Sequence, residues 1–161
     1  MAQKFYSTAS TGRFVDLKQA VLRSLPSDNG LYMPSEVPRP DEVLQPGWRE
    51  WSFAELSYRV ASAFFNGSVP EQDLRDIVGQ AINFDAPLVK IAEGINILEL
   101  FHGPSLAFKD FGARFMARLM GWLTREDDRE LTVLVATSGD TGGAVASAFH
   151  RVTGTRVVVL Y

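Results

Sequence analysis

Two short stretches hold the side chains that could do chemistry: HGPSLAFKDFG (102–112) and TSGDTGG (137–143). In the first, Lys109 stands between an aromatic residue and an aspartate, where a helical pattern begins. A cation at a helix start meets the positive end of the helix dipole, so it is a poor choice for helix stability. With Leu106, Phe108 and Phe111 around it, Lys109 is a candidate amine for Schiff-base formation. The competing reading is an exposed lysine paired with Asp110. His102 either contacts an anion or satisfies backbone groups. Ser105 either caps the coming turn or donates to a ligand.

The second stretch suits an anion. Gly139, Gly142 and Gly143 permit close backbone approach. The N–H groups that open the following helix, with the helix dipole, favour negative charge. Thr137, Ser138 and Thr141 add hydroxyl donors. A carboxylate or a phosphate fits that description. Asp140 is the anomaly, because a carboxylate repels an anion unless it points away. The plainer alternative is a strand-to-helix turn capped by Ser138, Asp140 or Thr141. The stretch lacks the Gly-Lys-Ser/Thr ending of a phosphate-binding P-loop, and it does not fit the GxGxxG dinucleotide fingerprint.

These residues need elements to position them. In the second half, PLVKI (87–91) and INILEL (95–100) read as strands joined by a tight turn. KDFGARFMARLMGWLT (109–124) reads as a helix, with Phe115, Met116, Leu119, Met120 and Leu123 on one face. REDDRE (125–130) is a solvated loop. LTVLVAT (131–137) is a buried strand, AVASAFHRV (144–152) a helix, and RVVVLY (156–161) another apolar strand. Strand, helix, strand, helix, strand implies a parallel sheet with helices on its faces. Both stretches then follow strands and precede helices, where open parallel sheets place ligand sites.

The first half reads mainly helical. FVDLKQAVLRSL (14–25) has helical spacing and is stopped by Pro26 and SDNG. LYMPSEVPRP (31–40) is extended. SFAELSYRVASAFF (52–65) opens with a capping box, Ser52 and Glu55, and ends at Asn66 and Gly67. Pro70 opens PEQDLRDIVGQAI. The expected organisation is an amino-terminal helical region over 1–92 and the start of a doubly wound α/β domain over 93–161.

Composition narrows the partners. The 161 residues are 46% hydrophobic and 22% charged, with a net charge of -3. That suits a globular domain, and the lack of a long basic run argues against nucleic acid and anionic membrane. There is no cysteine, so thiolate metal sites and disulfides are excluded. Two histidines, His102 and His150, argue against a histidine-rich zinc site. MAQKFYSTAS lacks the apolar core of a secretory signal, and no apolar run approaches about 18 residues, so a cytoplasmic location is expected.

Taken together, FHGPSLAFKDFGARFMARL (101–119) strongly resembles the lysine segment of threonine synthases, within the tryptophan-synthase-like, fold type II pyridoxal-phosphate enzymes. ATSGDTGGAVASAF (136–149) resembles their serine-glycine loop, and FYSTAS (5–10) and PSDNGLYMP (26–34) resemble their openings. The resemblance implies that Lys109 is the Schiff-base lysine for pyridoxal phosphate and then a general base and acid. It implies that Thr137, Ser138, Gly139, Asp140 and Thr141 surround the substrate carboxylate and the cofactor's phenolic oxygen. Phe108 and Ser105 would shape the pocket beside the ring. The broader family usually carries Asn where this chain has Asp140, and Asp favours the threonine synthase branch. The implied reaction converts O-phospho-L-homoserine and water to L-threonine and phosphate. A related dehydratase, a phosphohomoserine lyase or a non-catalytic anion-binding domain are the alternatives.

In that family the glycine-rich loop for the cofactor phosphate, and the residue facing the pyridine nitrogen, come later than the serine-glycine loop. Neither is found by residue 161. A chain stopping on an apolar strand points the same way, since such strands normally lie inside a sheet. The expectation is an amino-terminal portion whose site is completed by the rest of a parent chain, inactive alone and weak in cofactor retention. Self-association through the terminal strand is the other expected partner.

Overall fold

The computed structural model describes residues 2–65 and 67–160. The chain forms two compact units, Met1–Val78 and Gly79–Tyr161. A boundary at 92/93 would cut a paired hairpin at its turn, and the units divide earlier.

The first unit opens with strands that the sequence pattern did not reveal. β1 (Phe5–Ser7) pairs antiparallel with β2 (Ser10–Val15), and also with β3 (Tyr32–Pro34) once the chain returns, giving the order β2-β1-β3. α1 lies between β2 and β3 and spans Leu17–Arg23. The helix expected over 14–25 is therefore shorter. Phe14 and Val15 belong to β2, opposite Tyr6 and Phe5. The cause is Asp16, whose side chain accepts from the Gln19 N–H at 2.8 Å and starts the helix there. The turn after α1 is held by Asp28, which accepts from the hydroxyls of Ser7 (2.6 Å) and Ser10 and from the Gly30 N–H (3.1 Å).

A short α2 (Pro40–Val43) and a 3-10 turn at Trp48–Glu50 precede α3 (Phe53–Phe65) and α4 (Glu71–Ala81). Ser52 caps α3 as expected, its Oγ accepting from the Glu55 N–H at 3.2 Å. Glu55 is engaged elsewhere, with Arg59 at 2.6 Å and Arg75 at 3.1 Å. The Arg59 hydrogen bond, aided by Arg75, holds its carboxyl below the usual range. The expected helix end at Asn66 lies outside the described residues.

The second unit begins with an antiparallel hairpin, β4 (Leu88–Ala92) and β5 (Ile95–Leu98). Gly94 at φ 71° makes its turn. α5 (Lys109–Leu123), β6 (Leu131–Ala136), α6 (Asp140–Phe149) and β7 (Thr155–Leu160) follow. β6 and β7 pair in parallel from Leu131↔Thr155 to Ala136↔Leu160, with α6 as the crossover. Tyr161 lies outside the described residues.

The expected parallel sheet of three strands is corrected here. Among the described residues it has two, because INILEL finds its partner in the adjacent strand through a tight turn. The strands are also covered on one face only. Exposure alternates along β6 and β7, and Leu134 (67% exposed), Val158 and Leu160 point outward. α6 packs on the covered face and α5 packs on α6. Ala117, Ala144 and Ala148 are wholly buried, so small side chains line the helix contact. The buried stripe of α5 is Asp110, Ala113, Ala117, Leu119, Met120 and Leu123. Of the expected face, Met116 is exposed and Phe115 half-buried. The run 125–130 is exposed throughout, as its charge implied.

Candidate functional site

Lys109 is the first residue of α5, and Asp140 is the first residue of α6. α5 runs into β6 through the short segment 124–130, and β6 runs into α6 through 137–139. Both helices therefore start at the carboxyl end of β6 and run the same way. Their far ends agree. The Arg118 guanidinium donates to the Ala148 carbonyl at 2.9 Å, and a Cβ at Gly121 would meet Val152 Cγ1 at 2.8 Å. Stepping back the same number of residues along each helix leads from Arg118 to Lys109 and from Ala148 to Gly139. The two stretches picked out in the sequence thus open neighbouring helices at one end of the unit.

Lys109 is exposed. Its expected partner, Asp110, faces the other way. Asp110 is fully buried and accepts from the Ser105 N–H at 2.8 Å and the Ser105 hydroxyl at 2.7 Å. The reading of Lys109 as one half of an ion pair with Asp110 therefore fails, because that carboxylate belongs to the loop before the helix. Phe108, beside Lys109, is exposed, with its ring 6.4 Å from that of Phe111. His102 meets side chains of its own chain. Its Nε2 lies 2.7 Å from a Glu99 carboxylate oxygen, and its ring stacks on Phe101 at 4.9 Å.

The turn at 137–141 is not capped by Ser138, Asp140 or Thr141. Its cap position is Gly139, and no side chain accepts there. The Thr137 hydroxyl instead accepts from the Gly139 N–H at 3.2 Å, and the Gly142 N–H bonds the Gly139 carbonyl at 3.1 Å. α5 likewise opens at Phe108 without a side-chain cap. Ser138, Gly139 and Asp140 are exposed and Thr141 is half-buried. Of the three glycines only Gly142 is demanded by packing, since a Cβ there would meet Thr137 Cγ2 at 2.9 Å and Val159 Cγ1 at 3.3 Å. Gly139 and Gly143 face open space. Backbone donors at the start of α6 are therefore open to an outside acceptor.

Arg114, one turn after Asp110, donates to the carbonyls of Ala81 (2.8 Å) and Gln80 (2.7 Å) and to the Asn83 side chain (2.9 Å). Burial, with Arg118 nearby, pushes its guanidinium below the ordinary arginine value. Sequence reasoning missed the use made of Asp110 and Gly103. No local pattern signals them, because their contact depends on the loop folding back.

A parallel β-α-β unit with an exposed lysine and an uncapped glycine-rich turn at one end defines an α/β protein. The family profile described as Threonine synthase N terminus matches residues 4–82. The chain is 41% identical over 158 residues to the threonine synthase of Serratia marcescens, covering 98% of this chain and 36% of that protein. Its structure is similar to that of threonine synthase from Escherichia coli, with a TM-score of 0.85, 39% identity, and coverage of 98% of this chain and 36% of that one. It is also similar to PLP-bound threonine synthase from Brucella melitensis, at a TM-score of 0.87, 33% identity, and coverage of 98% and 35%. The chain is similar to threonine synthases along nearly its whole length, and the amino-terminal threonine synthase profile matches just under half of it. It spans about a third of the length of the curated relatives it matches, the share being 36% for the Serratia protein.

Proposed function

We propose that this chain supplies the amino-terminal part of a pyridoxal-phosphate-dependent threonine synthase. The parent reaction is the conversion of O-phospho-L-homoserine and water to L-threonine and phosphate. The observation that carries this reading is the pairing of Lys109 with the uncapped 139–141 turn on neighbouring helix starts. A Brucella relative of the same fold is described as PLP-bound.

The residues present fit the cofactor. Lys109 is exposed and, among the described residues, has no carboxylate paired with it; its amino group is suited to hold the aldehyde carbon covalently and then to carry a proton from and to the substrate's Cα. When bound, the cofactor supplies an electron sink for that proton's removal. Phe108 and Ser105 flank the lysine; Ser105 shapes the loop while its hydroxyl donates to Asp110. Thr137, Ser138, Gly139, Asp140 and Thr141 would surround the substrate carboxylate, with donors from the hydroxyls of Thr137, Ser138 and Thr141 and from the amides that open α6 at Asp140 and Thr141. Asp140 has an exposed side chain and so can point away from an anion or accept from a ligand hydroxyl or amine. The remainder of a parent chain completes the site in this reading, which makes the parent a fold type II carbon-oxygen lyase and the 161-residue chain inactive alone. The cytoplasmic location expected from the sequence belongs to the same reading. In the described residues no helix is long and apolar enough to cross a membrane.

Product analysis of the parent enzyme with O-phospho-L-homoserine tests it. Threonine is expected. Formation of 2-oxobutyrate in its place would move the protein to the dehydratase or lyase reading. Absence of turnover together with non-selective reductive labelling of lysines by pyridoxal phosphate would favour the anion-binding module.

A further inference from the structure

We infer that Asp110 is a positioning residue for Lys109, an inference that rests on the reading of Lys109 as the cofactor lysine. Asp110 is the largest fully buried side chain among the described residues. A buried carboxylate is tolerated only when its oxygens are hydrogen-bonded. Here both are met from one residue: the Ser105 N–H reaches Oδ2 at 2.8 Å and the Ser105 hydroxyl reaches Oδ1 at 2.7 Å. The first turn of a helix is also where a negative group is favoured.

The loop is wound round this carboxylate. A Cβ at Gly103 would lie 2.5 Å from Asp110 Oδ2 and 2.7 Å from its Cβ, so only glycine fits. Leu106 sits at φ 57°, a conformation uncommon for a bulky side chain, and its N–H bonds the Gly103 carbonyl at 3.0 Å. The Ala107 carbonyl accepts the Asp110 N–H at 3.0 Å. An ordinary cap satisfies one amide at the helix start. Asp110 instead reaches back out of the helix, across Lys109, to the loop. Successive helical residues project about 100° apart. Anchoring Asp110 inward therefore fixes the rotation of the first turn, and with it the root of the exposed Lys109 side chain.

The test uses the full-length parent enzyme and Asp110→Asn, which keeps the shape and one acceptor but removes the charge and replaces the other acceptor with an NH2 donor. Pyridoxal phosphate is added, borohydride reduces the adducts, and mass spectrometry maps them. The wild type is expected to label Lys109 in preference to Lys4, Lys18 and Lys90. The variant is expected to lose that preference about tenfold or more, with kcat falling alongside and KM within about threefold. A folded Asp110→Asn enzyme with unchanged Lys109 preference and kcat overturns the inference. Should that variant not fold, Ser105→Ala removes one bond and leaves the backbone donor, and a fall of about threefold is expected. Unchanged labelling there overturns it equally. A wild-type parent that labels Lys109 selectively but makes no threonine sinks the synthase reading while the labelling comparison still decides the role of Asp110. A wild type with no preference for Lys109 overturns both.

Discussion

In the first unit, α1 opens under the Asp16 carboxylate and α3 under the Ser52 hydroxyl. In the second, α5 and α6 open with no side-chain cap at all. The same orphan amides exist at every helix start. A cap contributes about 1 kcal/mol, so leaving two helices without one forgoes stability that other sequences at the same positions would have gained. The contrast is between starts closed by a side-chain acceptor and starts where only backbone carbonyls accept, as for the Asp110 and Phe111 N–H groups of α5 and the Gly142 N–H of α6.

The largest effect is expected from the exposed amine. Lys109→Ala in the parent enzyme should lower threonine formation by about 10³-fold or more, while its thermal midpoint stays within a few degrees because the side chain is exposed. Equal activity would remove Lys109 from chemistry and leave the second unit's open ends unexplained. Gly142→Ala comes next. Its new methyl meets Thr137 and Val159 where α6 lies on the strands, and a loss of about 1–3 kcal/mol in denaturant unfolding is expected.

The caps can then be exchanged. Asp16→Ala and Ser52→Ala should each cost about 1 kcal/mol and leave KM unchanged. Gly139→Ser, which offers α6 the cap it lacks, should leave stability unchanged or raise it by a few tenths of a kcal/mol, yet raise KM for the anionic substrate. A Gly139→Ser enzyme with wild-type KM would show that the open turn holds no ligand.

The smallest effect is a pH dependence in the first unit. The hydroxyls of Ser10 and Ser7 and the Gly30 N–H hold the Asp28 carboxyl below its ordinary value. A depressed folded value means that the contribution is fully present above the unfolded value of about 4. It is lost as the pH falls through the lower folded value. Acid unfolding followed by circular dichroism should therefore begin at lower pH in the wild type than in Ser10→Ala. Coincident acid transitions would show that the Asp28 turn does not contribute.

Some of this was readable without a fold. Helices α3, α4 and α5 follow from apolar spacing and from start signals such as Ser52 and Pro70. The hairpin follows from alternation around a glycine turn. β1 was not readable, because a three-residue strand has no period to detect, nor was β2, because its Phe14 and Val15 suit a helix as well as a strand. The third parallel strand was misassigned because INILEL is equally apolar in a hairpin and in a sheet interior. What chooses between them is the partner strand, which sequence period does not encode.

By itself, the sequence determined the two chemistry-bearing stretches, their order, and their position ahead of helices, since these depend on residue types a few places apart. Only the tertiary structure decided that Asp110 turns inward to Ser105 and leaves Lys109 without it. It alone decided that α6 starts uncapped at Gly139, and that both helix starts lie at one end. Those outcomes depend on a loop closing over five residues and on two helices packing through alanines. Their energies come from burial and hydrogen bonding between residues that are neighbours only after the chain has folded.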